Sequence, residues 1–120
     1  MRKIFVALLL LPALSFAGEP SAGATREINH LLNYLKESGC QFNRNGNWYS
    51  PADAVDHLNQ KYQYLLKKGL VDTPEDFIAR AASESSMSGK QYQVRCGNQP
   101  AEPSGQWLKS ELARYRGKQK

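Results

Sequence analysis

The stretch CQFNRNGNWYSPAD, residues 40–53, decides the fold. Cys40-Gln41-Phe42-Asn43-Arg44 alternates apolar and polar residues, the period of a strand. Asn45-Gly46-Asn47 is a turn signal. Trp48 and Tyr49 then lead to Ser50-Pro51-Ala52-Asp53. That is a helix cap, a proline at the first helical position and an acid three residues after the cap. A strand and a helix start so close together in sequence call for a mixed α and β domain.

Downstream of Asp53, residues Ala54, Leu58, Tyr62 and Leu65 form one apolar helical face, and Gly69 ends the helix. Thr73-Pro74-Glu75-Asp76 repeats the start signal. Phe77, Ile78, Ala81 and Ala82 make the buried side of a third helix, which fades into the serines 83–88 and stops at Gly89. Gln91 to Cys96 alternates like Cys40 to Arg44, so it reads as a second strand. After a Gly- and Pro-rich loop, Trp107, Leu108, Leu112 and Tyr115 place a last helix at about 104–116. Upstream, Thr25 is a helix cap, and Ile28, Leu31, Leu32 and Leu35 follow at helical spacing. The first helix spans about 25–38, closed by Ser38-Gly39.

The chain has two cysteines, Cys40 and Cys96. In an oxidising compartment an isolated pair is usually a disulfide. Closing a loop of about 56 residues constrains the unfolded chain by about 4 kcal/mol. The other readings are two free thiols or half a metal site, but no nearby Cys or His completes a zinc set. No metal or other cofactor is called for. A bond between the cysteines sets the two strands side by side. The expected fold is therefore α+β: about four helices on a small two-stranded antiparallel ribbon with one disulfide. Tetrahelical packing without a real sheet is the alternative.

The N-terminus indicates the compartment. Arg2 and Lys3 precede an apolar run from Ile4 to Leu11, then Pro12 and a small-x-small site at Ser15 and Ala17. These are the parts of an export signal cleaved after Ala17. The run is too short for the roughly 20 residues that cross a bilayer. Residues 1–17 are thus a signal peptide and 18–24 a flexible leader. A single globular domain spans 25–116, and 117–120 form a basic tail. The full chain carries 16 basic and 11 acidic residues. Loss of Arg2 and Lys3 leaves a net charge of +3. Much of the surplus lies in Lys109, Arg114, Arg116, Lys118 and Lys120. Such a tail either touches an anionic partner or is simply solvated. An exported, monomeric protein with no membrane span and no nucleic-acid partner is the expectation.

Several residues recur in a fixed order: Cys40-x-Phe42-x-Arg44-Asn45-Gly46, Ala54-x-x-His57-Leu58-x-x-Lys61, Phe77-Ile78, and Ser85-Ser86-x-Ser88-Gly89-Lys90-x-Tyr92-x-Val94. Over about residues 25–116 the chain resembles the YfeK-like family of small exported Gram-negative proteins. The resemblance implies a periplasmic location and a shared fold, and carries no activity with it.

Four constellations are candidates for chemistry. Asp53, His57 and Lys61 lie on one helical stripe. His57 would serve as base toward a serine of the cluster, Ser85 or Ser86, with Asp53 orienting it, the logic of a small serine hydrolase. The plainer role for His57 is to anchor its helix. Ser85-Ser86-Met87-Ser88-Gly89-Lys90 hints at a phosphate cradle, but the upstream glycine is missing and a helix C-terminus repels anions. Ser88-Gly89-x-x-Tyr92 is similar to a short pattern in periplasmic lysozyme inhibitors. Arg44, Asn45 and Gly46 with Trp48 and Tyr49 suit an anionic or sugar ligand. The preferred reading is a non-enzymatic binding or interaction module for an envelope ligand or protein. Arg44, Asn45, His57, Lys61, Ser85, Ser86, Ser88 and Tyr92 are its candidate binding residues.

Overall fold

The computed structural model describes residues 19–119. The export-signal reading, with cleavage after Ala17, lies outside the described residues. Helix α1 spans Ala22–Glu37, α2 Pro51–Lys67, α3 Pro74–Ala81 and α4 Ser104–Lys118. The strands are β1 Gln41–Arg44, β2 Asn47–Tyr49, β3 Gln93–Arg95 and β4 Glu102–Pro103. The α+β class and the disulfide hold, but the ribbon is a four-stranded sheet in the order β2-β1-β3-β4. Every pairing in it is antiparallel.

Two short strands make the difference. Asn45 and Gly46 both take positive φ, 53° and 89°. That is the two-residue hairpin turn matched to strand twist, and it folds Asn47–Tyr49 back so that Phe42 faces Tyr49. On the far side, Glu102 and Pro103 pair with Val94 and Gln93. Both edge strands are short, and β4 contains a proline, which cannot donate to a ladder. The predicted pair, β1 with β3, forms the centre, with Phe42 opposite Val94.

The caps explain the helix starts. Ser50 Oγ accepts from Asp53 N–H at 3.2 Å, with Pro51 at the first turn. Thr73 and Asp76 form a complete capping box. Helix α1 begins earlier than expected, because Ser21 rather than Thr25 caps it through Ala24 N–H. Residues 22–24 of the expected leader are therefore helical. Helix α3 ends at Ala81, so the serines do not extend it. They form a loop instead, closed by a bridge between Glu84 and Gln91 and by Tyr92 N–H donating to Ser83 carbonyl at 2.9 Å.

The core lies between the helices and one face of the sheet. Ile28, Leu31, Leu58, Phe77 and Ile78 are completely buried, and Phe42 and Val94 nearly so. Burying each such side chain stabilises by about 1.5–3 kcal/mol. The Cys40–Cys96 bond crosses from the residue before β1 to the residue after β3, at a Cα separation of 4.3 Å. Two of the basic residues near the C-terminus are paired. Arg114 and Arg116 lie within α4, where Arg114 pairs with Glu111 and Arg116 with Glu27 and Glu75. Among the described residues no helix is long and apolar enough to cross a membrane.

Candidate functional site

Three elements bring the candidates together. Strand β1 and its turn carry Arg44 and Asn45, the exposed side of α2 carries His57 and Lys61, and the serine loop carries Ser85, Ser86 and Met87. With Tyr92 these line one open pocket of about 220 Å³. Ser88 stands at its rim and locks the turn to the loop. Its hydroxyl donates to Asn45 Oδ1 at 2.7 Å, Asn45 Nδ2 donates to Ser85 Oγ at 3.4 Å, and Ser88 N–H donates to the same oxygen at 3.2 Å. Ser85 is buried and committed to these bonds, whereas Ser86 is exposed.

Tyr92 organises the floor. Its ring is buried against Phe42, with centroids 5.1 Å apart. Lys61 Nζ donates to its hydroxyl at 3.0 Å and to the Glu84 carbonyl at 2.9 Å. An ammonium has no acceptor, so the tyrosine oxygen accepts there. The tyrosine proton is then free to point at His57 Nε2, 3.1 Å away. In that arrangement the imidazole is neutral with its proton on Nδ1.

The electrostatics agree. Burial, then the neighbouring Arg44 and Lys61, hold the His57 pKa below its usual value. Burial lowers Lys61 too, with Glu84 opposing and Arg44 reinforcing the shift. Burial raises Tyr92, against the pull of Arg44. Arg44 sits over the Tyr49 ring at 4.9 Å and, among the described residues, has no carboxylate partner. Two cations, Arg44 and Lys61, and the His57 imidazole thus face one hollow whose other polar groups are neutral.

The alternative chemistries fare differently. Among the described residues no hydrogen bond joins His57 to Ser85, Ser86 or Asp53, and Nε2 is already engaged by Tyr92. The Ser–His–Asp relay is therefore not assembled. The Ser88-Gly89-x-x-Tyr92 pattern presents its serine on an exposed loop, while its tyrosine is only 1% exposed. Trp48 points to the opposite side of β2 from Tyr49 and lies under Arg95 at 4.0 Å, away from the pocket. Among the described residues no cluster of His, Cys, Asp or Glu could hold a metal.

Sequence reasoning missed Gln60, Tyr64 and Arg80, which line a neighbouring hollow of about 320 Å³ with His57, Lys61 and Ser86. Gln60, Lys61 and Tyr64 follow His57 at three, four and seven residues, so helical spacing alone could have found the first and the last. A larger hollow, about 480 Å³, lies where the N-terminal turns of α1 and α3 meet the end of α4. Its charges are largely spent on the Arg116 bridges to Glu27 and Glu75, so the smaller pocket is the better candidate.

These features define a small disulfide-closed α+β domain whose distinguishing site is a basic pocket in which half-buried Lys61 and His57 meet the buried Tyr92. The chain belongs to a family of unknown function, DUF5329, whose profile matches residues 22–116. It is 36% identical over 94 residues to an uncharacterized protein, YfeK, of Salmonella typhimurium strain LT2, covering 77% of each chain. No solved structure matches.

Proposed function

We propose that this protein is a non-catalytic periplasmic binding module that holds an anionic group of an envelope molecule, a carboxylate or a phosphate, between Arg44, His57 and Lys61. The observation that carries the reading is the gathering of two cations, Arg44 and Lys61, and the His57 ring around one open pocket with neutral hydroxyls and an amide as their neighbours. Structural cations are normally paired with carboxylates, and a cation held against rings and hydroxyls is available to an incoming anion. Placement in the periplasm rests on the signal-like residues 1–17 and is compatible with the disulfide. Monomeric action, without nucleic acid, is part of the same proposal.

The test is a titration of the mature chain with inorganic phosphate and with acetate, following the His57 ring by NMR. Saturable shifts of that ring are expected, weakened about tenfold or more in Arg44→Gln. Shifts of His30 and His57 alike, or none at millimolar anion, would remove the proposal.

A further inference from the structure

The basic pocket is the middle of a longer groove. His57 lines three adjoining hollows, of about 280, 220 and 320 Å³. The first shares Arg44 with the middle one, and the third shares Lys61 and Ser86 with it. All three follow the open side of α2. The first hollow adds Asp53 and Asp56, both exposed and, among the described residues, without an ion-pair partner. The third adds Tyr64, which is 59% exposed, and Leu65. Its lining is the most apolar of the three.

Along the edge of α2 the order is therefore acidic, basic, apolar, and Arg80 of α3 also lines the apolar end. From Asp53 to Leu65 the helix rises about 18 Å at 1.5 Å per residue. An extended peptide covers that length with about five or six residues at 3.3–3.6 Å each. The complementary ligand carries a cation, an anion and an apolar group in that order. A simple anion would fill only the middle, and an acidic polysaccharide has no group for the carboxylates or for Tyr64 and Leu65.

We propose that the groove binds an extended peptide whose free amino end lies by Asp53 and Asp56. Its acidic side chain meets Arg44 and Lys61, and an apolar side chain rests on Tyr64 and Leu65. The inference builds on the anion pocket proposed above and adds its two flanks.

The probe is the peptide Ala-Ala-Glu-Ala-Leu with a free amino terminus and an amidated carboxyl terminus, titrated calorimetrically into the mature protein. Binding is expected to weaken about three- to fivefold on N-acetylation, the scale of an exposed ion pair. Asp53→Asn with Asp56→Asn should cause a similar loss, and acetylation should then add little, because both changes remove the same contact. Replacing the peptide leucine with alanine should weaken binding by a similar factor, and Tyr64→Ser should largely abolish that difference. If the acetylated and free peptides bind alike while glutamine in place of the peptide glutamate abolishes binding, the flanks are refuted and the anion pocket stands. If the glutamine peptide binds as well as the parent, the anion pocket fails as well. No heat at millimolar parent peptide overturns the groove, and the phosphate titration then judges the pocket alone.

Discussion

The helical face formed by α1 and α4 and the groove beside α2 both concentrate charge, and they handle it in opposite ways. On the helical face Arg114 and Arg116 each meet a carboxylate. Arg116 reaches Glu27 at 2.9 Å and Glu75 at 2.7 Å. Buried Glu111 accepts from Arg114 Nε at 2.6 Å and lies 2.6 Å from His30 Nε2. The His30 ring also stacks on Tyr115 at 3.9 Å. In the groove Arg44 meets a ring, Lys61 a hydroxyl and a carbonyl, and His57 a phenol. Closed circuits of charge stabilise a fold, and an open one costs desolvation that only a ligand can offset. Under the proposed function, the contrast separates residues that hold the fold from residues that bind the anion.

The largest effect expected is from removing the link between the groove's two strands. Cys40→Ser with Cys96→Ser should cost about 4 kcal/mol in a urea titration. Amide exchange should speed first in β1 and β3 and later in α1 and α4, since the bond ties the strands and not the helical face. Next comes Glu111→Gln. Hydrogen bonds to charged groups are worth about 1.5–3 kcal/mol, and a loss in that range is expected with phosphate binding unchanged. Lys61→Met should do the reverse. The two side chains have similar length, Tyr92 keeps its bond to His57, and a desolvated cation is relieved of Arg44. Stability should change by less than about 1 kcal/mol, while phosphate affinity falls severalfold. A stability loss as large as that of Glu111→Gln would erase the contrast.

The smallest effect is in pH. His57 is held below the usual value of about 6.5. As pH falls through 6.5 the unfolded chain takes up a proton that the folded chain refuses, so stability declines from that point down to the folded pKa. Saturating phosphate should flatten the decline, because an anion favours the charged ring. Glu111 is depressed chiefly by Arg114, with His30 adding to it. Its contribution persists above the ordinary carboxylate range near 4.3 and is lost as pH falls through its lowered value. Unfolding midpoints measured from pH 8 to 3 should show two steps, the upper one missing in His57→Gln and the lower one reduced in Glu111→Gln, since Glu75 and Asp76 are depressed as well.

The helices were legible because their signals are redundant. Ser50-Pro51 and Thr73-Pro74 mark starts that the apolar period then confirms. The sheet was only half legible. Trp48 and Tyr49 leave no room for alternation before the Ser50 cap, and Glu102-Pro103 carries a residue that weakens any strand reading. Pairing supplied by β1 and β3 makes both into strands, and that is a tertiary cause. At the site, Arg44, His57, Lys61 and the serines were legible as residue types at suggestive spacing. Their convergence depends on the serine loop folding back through Glu84 and Gln91, which no local signal announces. The buried role of Tyr92 was hidden for the same reason, as was the His30–Glu111 contact, whose partners stand 81 residues apart.

The sheet's margins have a consequence for behaviour at high concentration. A long, flat, unpaired strand invites a second copy to dock by main-chain bonding and begin a fibre. Here one margin is three residues long and the other only two, with a ring nitrogen in place of a donor. Neither offers enough backbone to template stacking, so a crowded solution of this protein should stay free of cross-strand aggregates for as long as its helices remain folded over the core.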